Sequence, residues 1–93
     1  MKREHRLLYK KLIQKLGEMH QIEKCVEELN ELCDVLDSDE IDSFALIDEV
    51  ADVEITMEQL KVIFPYLGKE VRERKKFKIE RLKREVLGLL SDE

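Results

Sequence analysis

The 93-residue sequence has few of the residues that interrupt helices or favour sheets: it contains no tryptophan, one proline and three glycines, and aromatic residues make up 5%. Charged residues make up 42%, and Glu, Lys, Leu and Arg all have high helix propensity. No apolar run reaches the roughly 20 residues that a membrane-spanning helix needs, and no signal-peptide pattern is visible. We therefore expect one all-α domain over residues 1–93, with a short acidic tail at about 91–93, located in the cytosol and not in a membrane.

The low cysteine content and the charge balance restrict the function further. The net charge of −5 argues against a nucleic-acid polymer as the ligand, because such binding needs a basic surface. Cys25 and Cys33 are separated by about 12 Å of helical rise, too far for a disulfide bond. We expect both to be small apolar residues in a reduced core, and His20 to be a surface residue near a helix start.

Helical periodicity divides the chain into four segments. Gly17 separates the first two, the acidic stretch 37–42 forms a turn with Asp42 or Ser43 as N-cap, and Pro65 ends the third. The predicted helices run over 4–16, from 19 or 20 to about 36, 44–64, and from 67 or 68 to 90. We expect a four-helix bundle-like protomer.

The third predicted helix is apolar on more than one side. One arc contains Leu46, Ile47, Val50, Val53, Met57, Leu60 and Phe64, while Phe44, Ala45, Ile55, Val62 and Ile63 extend apolar surface around the rest. A helix with apolar residues on several sides is buried on several sides, and a chain of this size has too little protein to cover it. We therefore expect a homo-oligomer, either a dimer or a tetramer, formed through this third helix and its neighbours.

Acidic residues at helical spacing are a weak signal in this chain, because 22 acids produce about five pairs at i,i+3 by chance. Their position relative to the apolar face is more informative. Glu28 and Glu49 each lie on the flank of an apolar arc, where a carboxylate needs a cation or strong hydrogen bonds. Glu31 and Asp52 lie next to them and point the same way. Such an oxygen-only set favours Mg²⁺ or Mn²⁺ over zinc.

The fourth helix carries the opposite charge. Arg74, Lys75, Lys78 and Arg81 fall on one face, and this pattern suits a polyphosphate. Two alternatives remain open. In the first, the glutamates are surface residues paired with Lys15, Lys24 or the basic residues of the fourth helix. In the second, the basic face of the fourth helix is simply a solvated surface.

The order of these features resembles the MazG-like group of all-α nucleoside triphosphate pyrophosphohydrolases. That family has two acidic helices with the patterns EExxE and ExxD, followed by a helix with Lys-x-x-Arg. The matching segments are 27–31, 49–52 and 78–81, and the stretch 16–21 is similar to the segment preceding the first motif. The resemblance covers roughly residues 12–84.

The resemblance implies hydrolysis of a (deoxy)nucleoside triphosphate between the α and β phosphates, giving the monophosphate and pyrophosphate, as in nucleotide-pool cleaning. It assigns the catalytic, Mg²⁺-binding role to Glu28, Glu31, Glu49 and Asp52, with Glu27 as an accessory ligand and Mn²⁺ as a substitute metal. It assigns triphosphate binding to Lys78 and Arg81, assisted by Lys75.

The competing interpretation is a non-catalytic helical oligomer, an interaction or regulatory module whose acidic and basic residues pair between helices. Under the enzyme interpretation, Tyr9, Phe44 and Tyr66 are the candidates for stacking on a base, although core positions are favoured for all three. Glu54 is either an outer acid of the site or a subunit contact.

Overall fold

The computed structural model describes residues 1–91 and contains four helices: α1 (Arg3–Leu16), α2 (Glu18–Leu36), α3 (Ser43–Ile63) and α4 (Leu67–Ser91). No strand occurs in this range, so the all-α prediction is confirmed. Asp92 and Glu93, in the predicted acidic tail, lie outside the described residues. None of the four helices is at once long enough and apolar enough to span a membrane.

The helix ends follow the local signals of the sequence. Gly17 separates α1 from α2 with a φ of 97°, which a side chain would disfavour, and its N–H donates to the Ile13 carbonyl at 2.7 Å. Asp42 caps α3, since its carboxylate accepts from the N–H groups of Phe44 at 2.9 Å and Ala45 at 3.2 Å. α3 ends at Ile63, two residues before Pro65.

The helices α2 and α3 form the main interface, and their register is antiparallel. The Gln21 side chain donates to Gln59 at 2.8 Å. Glu28, seven residues later in α2, meets Asp52, seven residues earlier in α3. Because one helix advances as the other goes back, the chain direction is reversed between them. α1 packs against both helices, and the Tyr9 hydroxyl donates to Glu58 of α3 at 3.2 Å.

The interior of this three-helix unit is small and mainly polar. Tyr9 and Cys25 are its buried apolar residues, and its buried polar or charged residues are Gln21, Glu28, Glu49, Thr56 and Gln59. The prediction of a core position is confirmed for Cys25 but wrong for Cys33, which is exposed. Cys33 follows Cys25 by eight residues, and at about 100° per residue it lies about 80° around the helix from Cys25, away from the face that meets α3.

α4 contacts only α3, and every described residue after Gly68 is exposed. The single chain therefore packs three helices together and leaves most of the fourth uncovered, where a four-helix bundle-like protomer was expected. Core positions were favoured for the aromatic residues Tyr9, Phe44 and Tyr66. This prediction is confirmed for Tyr9 and wrong for Phe44 and Tyr66, which are 84% and 63% exposed. Both lie where the chain enters or leaves a long helix, away from the α2–α3 interface.

Candidate metal centre

The α2–α3 interface brings the predicted acidic residues into two overlapping groups. Glu28, Glu49 and Asp52 each place a carboxylate oxygen within 4.8 Å of the others. Glu27, Glu28 and Glu31 form a second group at the same separation. Glu28 belongs to both groups and is therefore the centre of the arrangement, which we call the acid cluster.

Two of these carboxylates are buried and incompletely satisfied. Glu28 is 6% exposed and Glu49 is 9% exposed, as their flank positions predicted. Glu28 Oε2 and Glu49 Oε1 are buried without a hydrogen-bond donor among the described residues. Buried polar atoms are nearly always paired in folded proteins, because an unpaired one keeps its full desolvation cost. A proton or a metal ion between the two carboxylates would satisfy both oxygens.

The pKa values of the cluster also indicate that its carboxylates lack neutralising positive charge. The pKa of Glu49 is raised to about 7, because its protonated form donates a hydrogen bond to Glu28, and because burial and the Glu28 charge disfavour ionisation. The pKa of Glu28 is lowered, chiefly by accepting that hydrogen bond and also by Lys24. Burial and the Glu28 charge raise the pKa of Glu31. Below about pH 7 the metal-free cluster therefore holds a proton on Glu49.

The donor set fits a hard divalent cation. All five predicted ligands are carboxylates, and oxygen-only sites of this kind suit Mg²⁺ or Mn²⁺, whereas zinc sites normally include nitrogen or sulfur donors. One carboxylate oxygen from each of Glu28, Glu49 and the half-buried Asp52 lies within 4.8 Å of the others, where α2 packs against α3. The residues present therefore fit the metal that the sequence predicts.

A cavity of about 300 Å³ adjoins the acid cluster between α1, α2 and α3. Its lining includes Glu28 and Asp52 together with the buried polar residues Gln21, Thr56 and Gln59. These three polar residues were not predicted as site residues. Their spacing from the acidic residues could have identified them. Gln21 precedes Glu28 by seven residues, Thr56 follows Glu49 by seven, and Gln59 follows Asp52 by seven. A separation of seven residues places both members of a pair on one helix face.

The predicted phosphate-binding residues are not brought to the acid cluster within one chain, because α4 has no contact with α2 and meets α3 at a groove around Lys61. Lys75 lines a separate groove of about 600 Å³ between α3 and α4, together with Lys61, Arg72 and Lys76. Lys61 follows Asp52 by nine residues, about 13 Å along α3. Arg81 forms an ion pair with Glu85 at 3.3 Å within α4.

Within residues 1–91, every ion pair joins two residues of the same helix. The alternative in which the acids pair with the fourth helix is therefore not observed in the single chain. The alternative partner Lys24 is observed, at 3.2 Å from Glu27 and 3.3 Å from Glu28. Glu54 is exposed and lies outside the acid cluster. His20 is a surface residue as predicted.

Comparison of the chain with protein-family models, with curated proteins and with solved structures finds no match. The interpretation of the site therefore rests on its own geometry and on the motifs in the sequence.

Proposed function

We propose that the protein is a Mg²⁺-dependent nucleoside triphosphate pyrophosphohydrolase of the MazG-like type, which cleans the cytoplasmic nucleotide pool. The observation that supports this most strongly is the buried pair Glu28 and Glu49, with one oxygen of each lacking a donor. A shared proton satisfies these oxygens below about pH 7, and above that pH a bound cation would offset the buried charge. The reaction proposed for this metal centre is inferred from the ordered motifs that resemble those of the family.

In this proposal Glu28, Glu49, Asp52 and Glu31 hold the metal, and Glu27 is an accessory ligand. Bound Mg²⁺ would neutralise charge on the phosphate oxygens and lower the pKa of an attacking water. Packing of α2 on α3 fixes the two buried carboxylates and keeps bulk water from them, which strengthens their electrostatic effect. The adjoining cavity takes part of the substrate, and its volume lies at the lower end for ligand sites.

The proposal also includes a homo-oligomer, a dimer or tetramer, in which α4 of one copy brings Lys78 and Arg81, assisted by Lys75, to a neighbouring acid cluster. One feature of α4 supports this assembly. The uncovered α4 has apolar residues at a spacing of three, four and three: Ile79, Leu82, Val86 and Leu89. This alternation of β-branched residues and leucines is typical of helices that pair with another helix.

The assembly is tested by light scattering coupled to size exclusion on the whole chain. The wild-type protein should be a dimer or tetramer at micromolar concentration, and Leu82→Glu should shift it to the monomer. Arg84→Glu, on another face of α4, introduces the same side chain and should leave the assembly intact. A wild-type monomer would contradict this part of the proposal.

The activity is tested by identifying products from a panel of ordinary and damaged (deoxy)nucleoside triphosphates with Mg²⁺ present. The protein should release pyrophosphate and the monophosphate, with no orthophosphate. Glu28→Gln and Glu49→Gln should each abolish release while the circular dichroism spectrum is unchanged. Glu23→Gln, which removes one exposed charge from the same helix, is the control and should retain activity. Turnover of no substrate would exclude the proposal and favour the interaction module, in which these substitutions break the oligomer instead.

A further inference from the structure

Lys24 is the one lysine or arginine among the described residues that contacts the acid cluster. Its Nζ lies 3.2 Å from Glu27 Oε1 and 3.3 Å from Glu28 Oε1. These are the carboxylates that the proposed function assigns to the metal. The ammonium group therefore occupies the place of a counter-cation on the central ligand of the cluster.

Lys24 also lines the cavity next to the cluster, and it is the only lysine or arginine in that lining. Its side chain remains 44% exposed and contacts both the carboxylates and the cavity. The cations of α4 lie on a helix that has no contact with α2. Among residues 1–91 of one chain, Lys24 is thus the only lysine or arginine placed to meet an anion entering this cavity.

We infer that Lys24 is a substrate-binding residue that exchanges partners: it neutralises Glu28 in the metal-free protein, is released when the divalent metal binds, and then binds a phosphate of the metal-bound nucleotide. This inference rests on the proposed function, because it takes the acid cluster as the metal site. Lys24 contacts Glu28 Oε1, whereas the unpaired oxygen is Oε2, so a metal at Oε2 would weaken the ion pair by neutralising the carboxylate charge that attracts Lys24. The freed ammonium has three donors and needs an anion, which the polyphosphate supplies.

The exchange predicts opposite effects of one substitution on two binding steps. Lys24→Met keeps the apolar stem and removes the competing charge, so Mg²⁺ alone should bind about two- to five-fold more tightly. Tripolyphosphate binding to the Mg²⁺-loaded protein should weaken about ten-fold, because a charge-assisted contact is lost. A residue that merely positions Glu28 would change both affinities in the same direction.

The experiment is calorimetric titration of the whole protein with MgCl₂, and then with inorganic tripolyphosphate at saturating Mg²⁺. Tripolyphosphate is used because it contains the three linked phosphates of the substrate and no sugar or base. Lys15→Met removes a lysine that forms no ion pair among the described residues, and it should leave both affinities unchanged. Lys24→Arg retains the positive charge and should restore tripolyphosphate binding.

Opposite shifts in Lys24→Met would support the exchange. Shifts in the same direction, or an unchanged Mg²⁺ affinity, would overturn it and leave the proposed function standing, provided that the wild-type protein binds Mg²⁺. A wild-type protein that binds no divalent metal would overturn both the exchange and the proposed function.

Discussion

The affinity for Mg²⁺ should rise about ten-fold between pH 6 and pH 8, because the metal must displace the proton that Glu49 holds. Carboxylate ligands bind metal only in the ionised form. The raised pKa of Glu49, about 7, arises from its hydrogen bond to Glu28, from burial, and from the neighbouring charges of Glu28 and Glu31.

The magnitude follows from this value. With a pKa of about 7, Glu49 is about 10% ionised at pH 6 and about 90% ionised at pH 8. The apparent affinity scales with the ionised fraction, which gives the ten-fold change. A glutamate with an ordinary pKa is about 98% ionised at pH 6, so a site made of such residues would show almost no dependence in this range.

The assay is isothermal titration with MgCl₂ at about pH 6, 7 and 8, at constant ionic strength so that screening does not vary. Repeating each titration in buffers of different ionisation enthalpy counts the protons released. About 0.9 proton per metal should be released at pH 6 and about 0.1 at pH 8. Glu23→Gln, which removes an exposed carboxylate outside the cluster, should show the same dependence as the wild type. Equal affinity at pH 6 and pH 8, with no proton release, would refute the shared-proton description of the cluster.

Three further predictions concern stability. Because the folded-state pKa of Glu49 is raised, the stability that its protonated form contributes is complete below the ordinary pKa and is lost as pH rises towards about 7. The melting temperature of Glu49→Gln minus that of the metal-free wild type should therefore increase from about pH 5 to about pH 8. A constant difference would count against this prediction. Mg²⁺ at about ten times its Kd should stabilise the wild type by about 1.4 kcal/mol, or roughly 6–11 °C for a domain of this size, and should leave Glu28→Gln unchanged. Asp42→Ala removes the cap that accepts from Phe44 and Ala45, and it should lower stability by about 1 kcal/mol in denaturant titration, whereas Asp39→Ala in the same turn should have little effect.

The features that the sequence predicted correctly are those set by local chemistry. Gly17, Asp42 and Pro65 determine where helices stop and start through backbone conformation and capping, and each acts within a few residues. The burial of Glu28 and Glu49 was also predictable, because the position of a residue relative to its helix's apolar arc depends only on the helical period.

The features that escaped prediction depend on how the helices are arranged in space. The hydrogen bond between Gln21 and Gln59 requires the register of α2 against α3, which periodicity alone does not fix. Cys33 lies on an apolar face in sequence but turns away from the helix it was expected to contact. The isolation of α4 from α2 is likewise a tertiary property, and it removes Lys78 and Arg81 from the acid cluster of their own chain.

The central claim is that the acid cluster binds a divalent metal, and anomalous diffraction from crystals grown with Mn²⁺ tests it most directly. The proposed site predicts an anomalous peak between α2 and α3, within coordination distance of Glu28, Glu49 and Asp52, that disappears in Glu28→Gln. A map with no peak at these carboxylates, or with Mn²⁺ bound only at other surface acids, would contradict the claim.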